Sequence, residues 1–226
     1  MDKEQNTQGF EKPLTFYSIS NNLSRVFKKP LMPIIVDIVI FQNYNRRMDM
    51  KIADVLSCSI GGFRLPRYHE LPNQGLYLEQ TTQYINQCLR PLGFEDVTSS
   101  MIRNYVKQGI VNNPVQKRYY VDQIAHLIPL ALLKQVTPLE NVNALFAILH
   151  RNGKYTNSVA YDYFCEELEN ILHFRFGLKD SIADVGVTSS LEKEMLRSTI
   201  TAVSHIVYLN RCFQYLTENQ KMDNNL

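Results

Sequence analysis

Along most of the chain apolar residues recur every three or four positions, the period of an amphipathic helix. Leu78, Thr81, Thr82, Ile85 and Leu89 form one stripe, in a helix that starts near Leu76 and is ended by Pro91 and Gly93. Val97, Met101, Ile102, Tyr105 and Val106 form the next, while Ser99, Ser100, Arg103, Asn104, Lys107 and Gln108 point away from it. Thr98 is suited to cap this helix, because its hydroxyl can accept from a free backbone N–H two or three residues on. Gly109 supplies the left-handed residue that stops it. Asp122 opens another helix with Ile124, Leu127, Ile128, Ala131 and Leu132 inward, and Pro129 inside that run predicts a kink or a fresh start. Thr137 and Pro138 predict the cap and first position of a helix to about Leu149, closed by Asn152 and Gly153. Tyr161, Phe164, Leu168, Ile171 and Leu172 then stripe a helix over residues 158–176 that stops at Gly177. Ser190 caps a final helix of roughly 26 residues, about 39 Å long, carrying Leu196, Ile200, Val203, Val207, Phe213 and Leu216.

The helical period is interrupted in a few places. Asn112, Asn113 and Pro114 read as a turn, and Val115–Val121 is rich in aromatic and branched residues, so two short strands around that turn predict a small wing. Residues 1–30 begin polar and then mix aromatics with turn formers, with a short helix around Ser20–Phe27. Pro30 and Pro33 break the chain before Ile34–Phe41, which reads equally as a buried strand or a buried helix. Asn43–Arg47 reads as a solvated loop, and Asp49–Leu56 as a helix with Ile52, Val55 and Leu56 inward. Gly61 and Gly62 precede an extended connector, LPRYHELPNQGLYL, and the tail from Thr217 is polar and expected to be disordered.

Charge changes this picture locally. With 24 Lys and Arg against 22 Asp and Glu the chain carries a net +2. Thr98–Val121 holds Arg103, Lys107, Lys117 and Arg118 and no acidic residue, so the rest of the chain sums to about −2 (+2 less +4). Hydrophobic content of 45% allows a sizeable core. MDKEQNTQGF lacks the basic start and apolar run of a signal peptide. The most apolar window, Leu31–Phe41, is about half the length of a bilayer span and contains Asp37, which argues against a membrane protein. Cys58, Cys88, Cys165 and Cys212 are scattered without a CxxC pair, so reduced thiols in the cytoplasm are expected.

The chemistry this suggests is DNA binding. A helix in the major groove presents its outward polar residues to base edges, and basic residues near its end and in a wing hold phosphates. Ser99, Ser100, Arg103 and Asn104 are the outward residues at the start of such a helix, where Arg can pair with guanine and Asn with adenine. Lys107, Lys117, Arg118 and Tyr119 would hold the backbone. A solvated basic helix and hairpin in a purely structural domain has the same charge pattern, and that reading stays open. Cys165 with His173, or His205 with Cys212, lack the close spacing of a structural zinc site, so no metal is expected. No Walker loop, GxGxxG, HExxH or GxSxG occurs, and Glu166, Glu167 and Glu169 read as a solvated polar face, so neither catalysis nor a cofactor is expected.

The segment MIRNYVKQGIV followed by RYYVDQIAHL resembles the MerR-type winged helix-turn-helix, with Val97, Thr98, Ile102, Arg103, Asn104, Tyr105, Gly109, Ile110, Arg118, Tyr120, Gln123, Ile124 and Leu127 at matching offsets. Asn104 stands where the family has the first Tyr of a pair, and the wing is several residues shorter. LLKQVTPLENV is similar to that family's next step, and residues 64–150 as a whole resemble a domain-of-unknown-function family of Firmicutes bacteria that contains this motif. The resemblance implies a mainly α fold with a MerR-like winged helix-turn-helix, a short β wing and helical N- and C-terminal regions. It implies an N-terminal extension over residues 1–62, the winged domain over 63–152, a dimerising or ligand-sensing helical region over 153–218 and a disordered tail over 219–226. The expected function is transcriptional regulation through double-stranded DNA, as a homodimer, with a recognition helix at about Thr98–Gln108 that includes Tyr105 among its contacts. A small-molecule effector fits the same reading. The alternative is a non-catalytic interaction domain that keeps the fold without DNA.

Overall fold

The structure, a computed structural model, describes residues 50–150, 155–183, 185 and 190–223. Expectations for the chain before Met50, and for Asn152 and Gly153, fall outside these residues. From Met50 onward the chain forms one unit. Its α-helices are α1 (Met50–Ile60), α2 (Leu78–Leu89), α3 (Ser99–Lys107), α4 (Val121–Leu133), α5 (Leu139–His150), α6 (Asn157–Arg175) and α7 (Leu191–Asp223). Two short strands, β1 (Leu76–Tyr77) and β2 (Arg118–Tyr119), pair antiparallel with Leu76 opposite Tyr119 and Tyr77 opposite Arg118. None of the described helices is long and apolar enough to cross a membrane.

Helix α4 is the centre of the fold. All residues from Gln123 to Leu133 except His126 are buried, so it is apolar on nearly every side and must be packed on every side. It touches α2 on one flank and α6 and α7 on the other, and α6 and α7 pack on each other. Helix α4 continues through Pro129, so of the two expectations, a kink or a fresh start, the fresh start does not occur. A helix-interior proline costs about 3 kcal/mol. The four leucine and alanine side chains that follow, Leu130–Leu133, are all at most 2% exposed, and burying such residues contributes about 1.5–3 kcal/mol per large side chain. Burial outweighs the lost hydrogen bond.

Two more expectations change. Helix α1 runs on to Ile60, burying Leu56 and Ile60 while Val55 faces out at 50% exposure. Helix α7 runs 33 residues to Asp223, through most of the tail expected to be disordered, and only 224–226 of that tail lie outside the described residues. Its first half buries Leu196, Ile200, Val203 and Val207, as the spacing predicts. Its second half turns apolar side chains outward, with Phe213 64% and Leu216 51% exposed. Arg211 on that half donates to the Pro91 carbonyl, tying it to the turn after α2.

The wing differs in register. The chain reverses at Gln116 and Lys117, not at Asn112–Pro114. Val115 and Arg118 exchange backbone hydrogen bonds of 3.0 and 2.9 Å, and Gln116 (φ 51°) and Lys117 (φ 63°) form a two-residue left-handed hairpin turn. The outgoing strand then pairs with β1, ahead of α2. Gly75 is required beside that pairing, since at φ +69° a Cβ there would lie 2.8 Å from the Tyr120 ring.

Candidate nucleic-acid interface

The surface that sequence singles out is built on α3, which is fixed at both ends. Thr98 Oγ1 accepts from the Met101 N–H at 3.2 Å, the expected cap. Upstream, the Asn86 side chain on α2 clasps the Val97 backbone: Nδ2 donates to the Val97 carbonyl at 2.9 Å and the Val97 N–H donates to Oδ1 at 2.8 Å. Val97 is 4% exposed, so no water replaces these bonds easily. At the far end Gly109 (φ +71°) lets its own N–H reach the Val106 carbonyl at 2.9 Å and the Ile110 N–H reach the Tyr105 carbonyl at 3.0 Å. The Gln123 side chain then secures the following loop, with Nε2 donating to the Asn113 carbonyl at 2.7 Å and Oε1 accepting from the Tyr120 N–H at 2.7 Å.

Asn86 and Gln123 are the positioning residues that the pattern of the sequence did not single out for this task. Asn86 lies on the polar side of its helix, like many solvent-facing amides. We expect Asn86→Ala to leave two buried backbone groups of Val97 unpaired and to lower stability by about 2 kcal/mol, read from the urea midpoint. Asn86→Asp should recover part of the loss, because its carboxylate still accepts from the Val97 N–H. A shift under about 0.5 kcal/mol for the alanine variant contradicts the clasp.

Held this way, α3 buries Ile102 (0% exposed) and Tyr105 (4%) and exposes Ser100, Arg103, Asn104, Lys107 and Gln108. Ser99 is half-buried, its Oγ 3.1 Å from Thr82 Oγ1. Nine helical residues make about 14 Å of rod, a length that fits across a major groove about 12 Å wide. Arg103 lies 3.8 Å from Glu79 on α2, with side chains 61% and 74% exposed, so this pair contributes little and exchanges readily for another anion. Lys117 stands exposed at the hairpin tip. Both Arg103 and Glu79 act on the Tyr119 phenol, which places β2 beside the α3 face, and burial pushes that phenol up from its usual value.

Two of the expected contacts are withdrawn. Tyr105 and Tyr119 are each 4% exposed, because their rings belong to the core beneath α3 and β2, and neither presents its ring to a duplex. Arg118 is half-buried and engaged within the chain. Its guanidinium stacks 4.4 Å from the Tyr77 ring centroid and donates to the Gly75 carbonyl at 3.2 Å and the Tyr77 hydroxyl at 3.1 Å, so it holds β1 to β2. One further cation joins the region. Lys134, beyond the end of α4, lies 5.9 Å from the Tyr105 ring centroid and 3.9 Å from Met101 Sδ. Nothing in the sequence placed it near α3.

Elsewhere the titratable groups are used in the frame. Glu169 takes Arg67 in a two-pronged pair, Nη1–Oε1 at 2.7 Å and Nη2–Oε2 at 2.6 Å, and this raises the Arg67 pKa. Arg197 Nε lies 2.6 Å from Oε1 of the fully buried Glu167. Two of the three neighbouring glutamates on α6 are therefore structural partners, and the solvated face expected for them is reduced to Glu166. All four cysteines are free thiols, and burial pushes Cys88 up to about 11 and Cys165 up to about 12. Among the described residues no three His, Cys, Asp or Glu side chains converge as a metal site.

Residues 66–164 match the family described as a domain of unknown function (DUF1836). That domain spans the connector, the α2–α3–hairpin–α4 unit, α5 and the first half of α6. Comparison with curated proteins and with solved structures gives no match.

Proposed function

We propose that this chain is a DNA-binding transcriptional regulator of MerR-like winged helix-turn-helix type, acting in the cytoplasm as a homodimer with α3 as recognition helix. The observation that carries the reading is the acid-free outer face of α3: Ser100, Arg103, Asn104 and Lys107 are exposed together, with Lys117 at the adjoining hairpin tip. Arg103 and Asn104 are the side chains that distinguish guanine and adenine, while Lys107 and Lys117 hold phosphates. Ser99 caps the contact from its half-buried position. Arg118 acts on DNA only indirectly, by fixing the hairpin. The duplex takes Arg103 from Glu79, an exchange that costs little at so exposed a pair.

If the exposed cations Arg103, Lys107 and Lys117 neutralise about six phosphates per dimer, log K falls against log salt with a slope near −5. Titration into labelled duplex DNA at rising salt measures this directly. A slope near zero removes the electrostatic basis of the proposal.

The dimer is supported by the outward stripe on α7. Ile206, Leu209, Phe213 and Leu216 are exposed and fall at alternating spacings of three and four, the seam of a two-helix coiled coil. This is also the observation that favours the alternative, a non-catalytic interaction domain that docks another protein and leaves DNA alone. Phe213→Asp places a charge in the seam and should weaken self-association at least about tenfold by sedimentation, with the fold intact because Phe213 lies outside the core. A chain that is monomeric before the substitution sinks the homodimer.

A further inference from the structure

A cavity of about 270 Å³ lies between the α3–α4 unit and the helices behind it. Its walls carry the rings of His126, Phe146, Tyr161 and Phe164 with the aliphatic Ile110 and Leu196. An apolar cavity of about 150 Å³ holds benzene, so this one accommodates a bicyclic molecule of roughly a dozen non-hydrogen atoms. Its polar edge is Asp122, whose Oδ1 accepts from the Tyr68 hydroxyl at 2.6 Å and from Asn157 Nδ2 at 2.8 Å. Those two donors fix the carboxylate in place. Burial and the bond to Asp122 push the Tyr68 phenol up to about 12, so it stays a donor. Among the described residues no Lys or Arg lines the cavity, and Asp122 forms no ion pair. The lining also includes Ile110–Asn112, the segment by which the chain leaves α3.

We infer that this cavity is a binding site for a compact aromatic amine, its ring system seated among the four aromatic side chains and its ammonium group on Asp122. The site selects for charge. A cation gains both the carboxylate and the ring faces, a neutral molecule of the same shape gains only apolar burial, and an anion meets an uncompensated carboxylate. That the ligand acts as an effector of DNA binding rests on the reading above; that it binds does not.

Calorimetric titration of the full chain, without DNA, with tryptamine, 3-methylindole and indole-3-acetate tests the site. Because no DNA is present, failure here leaves the DNA-binding reading untouched, and failure of that reading leaves this result standing. Tryptamine should bind saturably and at least about tenfold more tightly than 3-methylindole, with indole-3-acetate weakest. Asp122→Asn should bring tryptamine down to the level of 3-methylindole while the neutral ligand is unchanged. Ala160→Trp, which fills the cavity from a half-exposed position on α6, should abolish binding of all three. The inference is overturned if wild-type protein binds none of the three, if indole-3-acetate binds as well as tryptamine, or if a folded Ala160→Trp protein binds tryptamine normally.

Discussion

Replacing Glu169 with alanine should destabilise the protein by about 3 kcal/mol. Glu169 sits on α6 and receives three donors from the connector ahead of α2: both Arg67 prongs and the Leu65 N–H, at 2.9 Å. Arg67 and Glu169 side chains are only 17% and 13% exposed. Truncation leaves a guanidinium and a backbone N–H short of partners in a place water reaches poorly, and that unpaired state dominates the cost. A native domain has roughly 5–15 kcal/mol in reserve, so the loss is a large share. The urea midpoint measures it. Adding Arg67→Met to Glu169→Ala should return part of the stability, since the stranded charge is then gone. A shift below about 1 kcal/mol for Glu169→Ala, or no recovery in the double variant, contradicts this account of the connector.

The double variant Arg103→Ala, Lys107→Ala should weaken duplex DNA binding about 100-fold, near 2.7 kcal/mol, at moderate salt. Both side chains are exposed on α3 and make no bond that stabilises the core, so the urea midpoint should stay within about 0.5 kcal/mol of wild type. Loss of binding then cannot be ascribed to unfolding. Two cations per protomer make four per dimer, so the salt slope should fall from near −5 to near −2. Glu79→Gln provides the opposite sign. It frees Arg103 from the Glu79 carboxylate and should tighten binding a few-fold. Equal affinity in all three proteins contradicts the placement of the contacts on α3.

Much of the helical frame was legible because periodicity and punctuation agree. Thr98 caps α3, Gly109 stops it, and the stripe on α6 from Tyr161 to Leu172 is buried throughout. Where legibility failed, tertiary packing overrode a local rule. Pro129 is tolerated because the surrounding burial of α4 outweighs the missing hydrogen bond. The hairpin turn falls on Gln116 and Lys117, residues without the glycine or asparagine that mark such turns, so the Asn-Asn-Pro stretch drew the prediction instead. At the site, helical spacing already placed Tyr105 inward, and only the family offset made it a contact. Tyr119 belongs to a two-residue strand whose facing is set by pairing with β1, more than forty residues earlier, and no local pattern carries that. Asn86, Gln123 and Lys134 act through contacts distant in sequence, which one chain read alone does not reveal.

The central claim is that α3 reads DNA sequence, and selection from fragmented genomic DNA with purified protein tests it most directly. Wild-type protein should enrich a small set of sites sharing a common, roughly two-fold symmetric sequence. Asn104→Ala should relax the preference at adenine positions of that sequence, and Arg103→Ala at guanine positions. Enrichment that is absent, or independent of sequence and the same in both variants, would contradict the claim.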